Sequence, residues 1–215
     1  MKIGIVGGTG DIGEGMALRL SQQHEVFLGS REEVKACEVS DRCVAALDVK
    51  GIPCRCTGTD NQGAVDSADI VVTAIPFQHV LVTLKSLTGF DRKIVISPVN
   101  PMQKIDHFVF APPPEGSAAM MIQGLLPGAF VCAAFNNISS QKWKEIDHPL
   151  EYSVAVCGND PGAKKGVMDL ANGIPSLTAF DAGPLTTASM VESITPLLLN
   201  IARFNKMRDV GIRFL

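Results

Sequence analysis

The chain alternates short apolar runs with amphipathic stretches, and this alternation predicts most of its fold. The runs KIGIV at 2–6 and DIVVTAIP at 69–76 are short and rich in β-branched residues, which is typical of buried strands. Between them, DIGEGMALRLSQQ at 11–23 places an apolar residue at every fourth position, which indicates a helix. Apolar strands separated by amphipathic helices favour a parallel sheet covered on both faces, so we expect a doubly wound α/β architecture.

The remaining elements of the first two thirds follow the same pattern. Further strands are expected at 24–30, 53–58, 93–98 and 130–135, and further helices at 31–47, 60–68 and 117–126. The Pro-rich residues between 98 and 116 are expected to form a loop.

The pattern changes at about Ser139, where residues 139–149 are expected to be a linking segment. After it we expect a strand, a helix begun by Pro161 and closed by Gly173, a second strand with a turn, and a long last helix. We therefore expect two units, a larger one of residues 1–138 and a smaller C-terminal α+β unit of residues 139–215.

The last helix carries a single apolar stripe, formed by Met190, Ile194, Leu197, Ile201 and Phe204. The stripe is explained equally well by packing on the chain's own core and by a symmetric homodimer. Pro196 is expected to kink this helix or to lie near its first turns.

Charge and length narrow the possible functions. The 215 residues carry a net charge of −3 with a pI of about 5.8, so the global attraction for nucleic acid or anionic membranes is absent. The first residues form a strand-like run without a basic segment or a small-residue cleavage site, so we expect no signal peptide, and we expect no membrane span because the sequence has no uninterrupted apolar stretch long enough to cross a bilayer. We expect a cytoplasmic protein with no nucleic-acid or membrane partner.

Six cysteines are scattered through the expected helices and strands, and in such a chain we expect them to be reduced and packed as small apolar groups. Cys54 and Cys56 form the only close pair. Strand alternation would direct both thiols to one face, but the neighbouring sequence offers no further ligands, so a metal or redox role is disfavoured.

A glycine motif follows the first strand and opens the first helix. Gly8, Gly10 and Gly13 fit the G-x-G-x-x-G pattern of a Rossmann-type dinucleotide site. We expect Gly8 to permit a tight turn, Gly10 to let the backbone approach a pyrophosphate, and Gly13 to let the helix pack closely on the strand. The helix N-terminus would supply free N–H groups and the positive end of its dipole.

The end of the second strand indicates which nucleotide is bound. NAD sites place an acidic residue about 20 residues after the glycines, where this chain has Gly29, Ser30 and Arg31. Arg31, Ser30 and Lys35 can instead contact a 2′-phosphate, so we expect NADP. The alternative is that Ser30 caps the next helix while Arg31 and Lys35 lie on a solvated face.

Several motifs together resemble one family, and the resemblance runs from end to end of the chain. They are GGTGDIGEGMALRL, GSREE, IPFQH, IVISPVNP, VCGND, DAGPL and VESITPLLLNIARFNKM, followed by GIRFL. In these the chain resembles the NADPH-dependent F420 reductases, or F420H2:NADP oxidoreductases, known chiefly from archaea and some actinobacteria. The resemblance implies an oxidoreductase that transfers a hydride reversibly between NADP(H) and coenzyme F420, an 8-hydroxy-5-deazaflavin.

The resemblance also implies where the two coenzymes bind. An NADP-binding Rossmann domain would occupy residues 1–138, and residues 139–215 would close the deazaflavin cleft. The residues implied for the coenzymes are Thr9, Gly10, Asp11 and Ile12 along the pyrophosphate, Ser30, Arg31 and Lys35 at the 2′-phosphate, Ile75, Pro76 and His79 near the adenosine and ribose, Asn100 in the crevice, and Asn136, Ile138 and Ser140 against the deazaflavin. No catalytic side chain and no metal are expected, because both coenzymes bring their own chemistry.

Two of these residues allow alternatives. His79 is equally well a ribose contact or a residue at the start of a helix. Asn136 stands where relatives often carry His; Asn can still hydrogen-bond the ring system, but it cannot titrate near neutral pH. The segment NNIS from Asn136 to Ser139 can also be a polar turn that only closes the Rossmann unit.

Two other functions compete with hydride exchange to F420. One is an NADPH-dependent reductase of a free flavin or another small acceptor, and the other is a non-catalytic NADP sensor. The sequence indicates neither the physiological direction of hydride transfer nor the residues that would hold the phosphate and acidic tail of F420.

Overall fold

The computed structural model describes residues 1–208 and 210–215. The strands are β1 Lys2–Val6, β2 Glu25–Ser30, β3 Cys56–Asp60, β4 Ile70–Thr73, β5 Ile94–Ser97, β6 Met102–Lys104, β7 Phe108–Phe110, β8 Phe130–Ala133, β9 Ser153–Gly158 and β10 Thr178–Asp181. The helices are α1 Asp11–Leu20, α2 Glu33–Asp48, α3 Asn61–Asp66, α4 Phe77–Lys85, α5 Ala118–Leu125, α6 Ser140–Lys144, α7 Pro161–Asn172 and α8 Ala188–Phe204, and a 3₁₀ turn at Leu185–Thr187 precedes α8.

Eight strands form one sheet in the order β10-β9-β8-β5-β4-β1-β2-β3. Every neighbouring pair is parallel except β8 with β9. The chain runs outward from β1 through β2 to β3 and then returns to β4 on the other side of β1. This reversal confirms the doubly wound, Rossmann-type fold, and it opens a crevice at the carboxyl ends of β1 and β4, where such sheets bind ligands.

The C-terminal residues extend this same sheet. β9 pairs with β8 in the antiparallel direction, and β10 adds in parallel beyond β9. The division into residues 1–138 and 139–215 stays a prediction, since the hydrogen-bonded ladder runs through both parts.

The sheet is buried on both faces, as its apolar strands predict. One core lies beneath α1, α2, α6 and α7 and includes Ile5 and the fully buried Trp143. The other lies beneath α3, α4, α5 and α8 and includes Val6 and Ile122. Successive residues of β1 thus enter opposite cores, which is why the strand reads as a continuous apolar run.

Three sequence-based assignments were wrong in detail. The expected loop at 98–116 contains the β6–β7 hairpin, whose first strand is exposed along its whole length and so lacks an apolar signal. The hairpin is held by Asn200 of α8, whose side chain accepts from the Phe108 N–H at 2.8 Å and donates to the Phe108 carbonyl at 2.7 Å. β3 begins at Cys56 rather than residue 53, and the expected linking segment contains α6.

For helix α8, the sequence left two alternatives for its apolar stripe: packing on the chain's own core, or packing on a second copy. Pro196 lies inside the helix and is buried. The residues Leu185–Phe204 are the one span in the described chain that is long and apolar enough, by length and composition, to cross a membrane, and core helices of soluble proteins pass the same test. One face of α8 packs in the second core, while Met190, Leu197 and Phe204 are 71%, 56% and 69% exposed.

Candidate functional site: two joined cavities at the carboxyl ends of β1 and β4

The glycine turn after β1 is built by Gly7 and Gly8 together. The left-handed residue of the turn is Gly7, with φ of 75°. Gly8 is required for packing, because a Cβ there would lie 2.6 Å from the Leu28 side chain. The Gly8 N–H donates to the Gly29 carbonyl at 2.7 Å, which fixes the turn against β2.

The turn delivers the chain into the N-terminus of α1. At Gly13 a Cβ would lie 2.5 Å from the Gly8 Cα, so only glycine permits this approach of helix and turn. Gly10 is the N-cap of α1; it is exposed, and no side chain caps the helix there. The first N–H groups of α1 and the positive end of its dipole therefore face the crevice, as anion binding requires.

The Asp11 carboxylate at this anion site is paired with a lysine. Lys144 of α6 donates to Asp11 at 2.8 Å and approaches Glu14 to 2.7 Å, and Arg42 approaches Glu14 to 3.0 Å. The hydrogen bond and charge of Lys144 lower the pKa of Asp11, and those of Asp11 and Glu14 raise the pKa of Lys144. The Asp11 carboxylate is therefore paired with a cation at the edge of the phosphate site.

A cavity of about 440 Å³ lies on the β2 side of the turn. It is lined by Gly7, Thr9, Gly10, Ser30, Arg31, Glu32, Lys35, Asn61, Ala74, Ile75, Pro76, His79, Val82 and Thr83. Arg31 is an exposed residue in the wall of this cavity. Lys35 donates to Glu32 at 2.6 Å, and Ser30 Oγ accepts from the Glu32 N–H at 3.3 Å. Glu32, not Ser30, is the N-cap of α2.

A second cavity of about 360 Å³ lies on the β5 side. It is lined by Gly10, Asp11, Ile12, Thr73, Ala74, Ile75, Pro76, Phe77, Pro98, Val99, Asn100, Met102 and Ser140. Gly10, Ala74, Ile75 and Pro76 line both cavities, so the two meet at the ends of β1 and β4. Such a shape can hold two ligands that approach each other at this shared wall.

The structure separates the sixteen expected site residues into three groups. Twelve of the sixteen line one or both cavities: Thr9, Gly10, Asp11, Ile12, Ser30, Arg31, Lys35, Ile75, Pro76, His79, Asn100 and Ser140. Gly8 and Gly13 shape the turn from behind. Asn136 and Ile138 are buried and line neither cavity, and Ile138 belongs to the first core.

The turn after β8 is strained, and it directs Asn136 toward the second cavity's wall. Phe135 has φ of 65°, a left-handed conformation that a bulky residue rarely adopts. The Asn136 amide donates to the Val99 carbonyl at 3.0 Å and to Asn100 Oδ1 at 3.2 Å. Asn136 Oδ1 is buried and has no hydrogen-bond partner within residues 1–208 and 210–215.

The backbone carbonyl of Asn136 joins three parts of the chain. It accepts from the Asn100 amide at 2.9 Å and from Thr195 Oγ1 of α8 at 2.5 Å. Asn100 lines the second cavity, so α8 supports that cavity's wall through this carbonyl.

Helix α8 also carries a buried carboxyl group. Glu192 is fully buried, and its two carboxylate oxygens accept from the N–H groups of Ala118 and Ala119, at 2.8 and 2.9 Å, in the first turn of α5. Burial raises the pKa of Glu192 to about 7, while the two backbone hydrogen bonds act to lower it.

Sequence reasoning missed several residues that shape the site. Asn61 accepts from the Gly7 N–H at 3.0 Å; it directly follows β3, and this position at a strand's carboxyl end was the available signal. Met102 lines the second cavity from the hairpin that the sequence did not reveal. Thr195 and Glu192 lie in a helix whose stripe drew attention only to its apolar positions.

Known proteins match this chain along most of its length. The family described as NADP oxidoreductase, coenzyme F420-dependent, matches residues 2–101. An F420-dependent NADP reductase of Methanocaldococcus jannaschii is 38% identical over 99% of this chain and 97% of its own length. An enzyme of the same name from Methanothermobacter thermautotrophicus is 35% identical over 99% of this chain and 94% of its own length.

One solved structure and one more distant sequence also match this chain. A crystal structure from Arthrobacter sp. FB24, named as a candidate F420-dependent NADP reductase, has a TM-score of 0.81 at 23% identity and covers 100% of this chain and 99% of its own. A rat metalloreductase, STEAP3, is 27% identical over 92% of this chain and 37% of its own length. From the full-length matches above 30% identity, the chain belongs to the family of F420-dependent NADP reductases.

Proposed function

We propose that this protein transfers a hydride reversibly between NADP(H) and coenzyme F420, in the sense reduced F420 plus NADP⁺ giving F420, NADPH and a proton. The observation that carries the proposal is membership of the family over the whole chain, together with two cavities that share one wall at the ends of β1 and β4. When bound, the two coenzymes supply the hydride chemistry, and the chain positions them.

The first cavity is proposed to hold NADP. The uncapped N-terminus of α1 would take the pyrophosphate, with Gly10 open to its close approach. Arg31 and Ser30 would hold the 2′-phosphate, and Lys35 would join them by releasing or sharing its bond to Glu32. The remaining expected contacts, Thr9, Ile75, Pro76 and His79, line the same space.

The second cavity is proposed to hold the deazaflavin ring. Its wall is mixed, with apolar surface from Ile12, Val99 and Met102 and an amide from Asn100, which suits a flat heterocycle with polar edges. Asn136 stands directly behind Asn100, and its unpartnered Oδ1 is the polar atom that a ring N–H could satisfy after a small shift. Ile138 would then support the ring from the core rather than touch it.

The chain's own contribution to the reaction is proposed to be orientation and exclusion of water. Ala74, Ile75 and Pro76 form the shared wall, so both ligands would be held against the same rigid strand end. Close, fixed approach of the reacting carbons lowers the entropic cost of transfer. Residues 139–215 contribute Ser140 to this cleft, which is consistent with their expected role as its closing unit.

We also propose a soluble, cytoplasmic homodimer with no nucleic-acid or membrane partner. The exposed apolar residues of α8, Met190, Leu197 and Phe204, would be covered by a second copy. The net charge of −3 disfavours anionic polymers and membrane surfaces.

The test is an absorbance assay with purified protein. Mixed with NADPH and oxidised F420 near neutral pH, it should bleach the deazaflavin absorbance, and with NADP⁺ and reduced F420 the absorbance should return. Folded protein that binds NADPH but exchanges no hydride in either direction would overturn the proposal.

A second candidate, an NADPH-dependent reductase of a flavin or other small acceptor, is favoured by the likeness to the metalloreductase STEAP3. Rates with FMN and with F420 at equal concentrations separate the two candidates. NADP binding without turnover of any acceptor would instead favour the non-catalytic sensor.

A further inference from the structure

The buried carboxylate of Glu192 is not used by the proposed hydride transfer, yet it makes the two hydrogen bonds that join α8 to α5. The side chain of the N-cap residue Ser117 accepts from the Met120 N–H at 3.0 Å, and Glu192 accepts from the two preceding N–H groups, those of Ala118 and Ala119. Three N–H groups in the first turn of α5 are therefore paired, two of them with an anion from another helix at the positive end of the dipole.

The same helix also supports the wall of the cleft, less than one turn further along. Thr195 lies three residues after Glu192, about 4.5 Å along the helix axis. Its hydroxyl donates to the Asn136 carbonyl, which also accepts from Asn100, a residue of the second cavity's wall. Pro196 cannot donate a backbone hydrogen bond to the Glu192 carbonyl, so the placement of this turn depends on its side-chain contacts, with Glu192 on α5 and Thr195 on the cleft.

We propose that Glu192 is a positioning residue for the acceptor side of the cleft, which anchors α8 on the first turn of α5 so that Thr195 holds the Asn136 carbonyl and, through it, Asn100. This inference rests on the function proposed above and assigns the residue to the F420 side of that site, since the glycine turn and Arg31 make no contact with this chain of hydrogen bonds in the described residues.

The charge state of Glu192 makes the anchor sensitive to pH. Two N–H donors favour the carboxylate, whereas burial favours the neutral acid, and the pKa of about 7 reflects this balance. Of the elements packed on α8, the helix α5, the strand β7 and the 3₁₀ turn carry no ionisable side chain. On β9, burial raises the pKa of the Cys157 thiol and the charge of Glu192 raises it further, and on β8 the pKa of Cys132 is raised to about 12, mainly by burial.

The test compares Glu192→Gln with Glu38→Gln, the same change at an exposed glutamate of α2. In Glu192→Gln we expect faster hydrogen–deuterium exchange at the Ala118 and Ala119 amides and at residues 134–137, and a KM for F420 about tenfold higher, the effect of one lost charge-assisted hydrogen bond. NADP⁺ affinity, measured by titration, should stay within about twofold because the glycine turn is untouched. Glu38→Gln should match the wild type.

A merely structural role predicts a different pattern. It would weaken NADP⁺ and F420 binding alike, and that result, or an unchanged F420 KM with exposed Ala118 and Ala119 amides, would overturn the proposal. The wild-type kcat/KM for F420 should also rise with pH through about 7, and Glu192→Gln should lack this limb. A limb that persists in the variant belongs to another group and counts against Glu192.

Thr195→Val provides an independent variant if Glu192→Gln does not fold. It should raise the F420 KM while leaving the Ala118 and Ala119 amides protected, because only the second half of the chain of contacts is broken. An unchanged KM would overturn the proposal. If the wild type exchanges no hydride with F420, the proposed function fails, while faster exchange at residues 134–137 in Glu192→Gln still tests the anchor itself.

Discussion

The buried Glu192 carboxyl should make the stability of this protein fall as the pH rises through the acidic range. Its pKa is about 7 in the folded chain against an ordinary value of 4.5. At about 1.4 kcal/mol for each pH unit, the difference corresponds to about 3 kcal/mol in the free energy of unfolding. A typical domain is stable by only about 5–15 kcal/mol, so the effect is large.

The sign follows from proton binding. Between pH 4.5 and 7 the folded chain holds a proton on Glu192 that the unfolded chain has released, so raising the pH favours unfolding. The contribution is fully present below pH 4.5 and is lost by the time the pH passes 7. Glu192→Gln cannot titrate and should lack this loss.

Urea unfolding of both proteins at pH 5 and pH 8 measures the effect. The unfolding free energy of the wild type, minus that of Glu192→Gln, should be about 2.5 kcal/mol smaller at pH 8 than at pH 5. Using the difference between the two proteins removes the titration of every other group. A difference that is equal at both pH values would refute the assignment of a buried, protonatable carboxyl to this site.

Three further predictions concern other parts of the molecule. Arg31→Asp should weaken NADP⁺ binding by about tenfold to a hundredfold and NAD⁺ binding far less, because it replaces a guanidinium that donates to the 2′-phosphate by a carboxylate that repels it. Fluorescence titration measures the affinity for each nucleotide. Gly13→Ala should lower the unfolding free energy by more than about 2 kcal/mol and abolish NADPH binding, because the added Cβ meets the backbone of the glycine turn at 2.5 Å. Leu197→Asp should shift the protein to monomers in light scattering, since it places a charge in the exposed apolar face of α8.

Each of these changes has a matched control in the chain. Arg55→Asp alters charge at the amino end of β3, remote from the crevice, and should leave both nucleotides bound as in the wild type. Gly124→Ala adds a methyl group on an open face of α5, with no atom within 4 Å, and should be neutral or slightly stabilising. Val49→Asp changes a residue that is 89% exposed and off the stripe, and should not affect assembly. Equal effects in a variant and its control would remove the corresponding assignment.

The sheet and the glycine turn were predictable because their signals are local. Parallel strands such as Ile70–Thr73 are buried at every position, and the close approach of Gly13 to Gly8 joins residues only five positions apart. The identity of the left-handed glycine was not predictable, because Gly7 and Gly8 are adjacent and the choice depends on how Leu28 and Asn61 pack around them.

The acceptor side of the site was less predictable because it depends on contacts between distant segments. The β6–β7 hairpin has an exposed first strand and is held by Asn200, about ninety residues later in the chain. The two hydrogen bonds to the Asn136 carbonyl come from Asn100 and Thr195, which only the finished fold brings together. The family resemblance indicated this region, but not which of its residues face the cavity.

The buried guanidinium of Arg19 limits how this architecture can be divided. It donates from α1 to the carbonyls of Lys142, Trp143, Glu145 and His148, and the Trp143 side chain fills the space beside Gly15 on the same helix. Cutting the chain near residue 138 would remove the four carbonyl acceptors of this guanidinium and expose the surface of α1 that Trp143 covers. Residues 1–138 therefore do not form a unit that recombination can transfer to another protein alone, because they depend on contacts with α6 and the residues just after it.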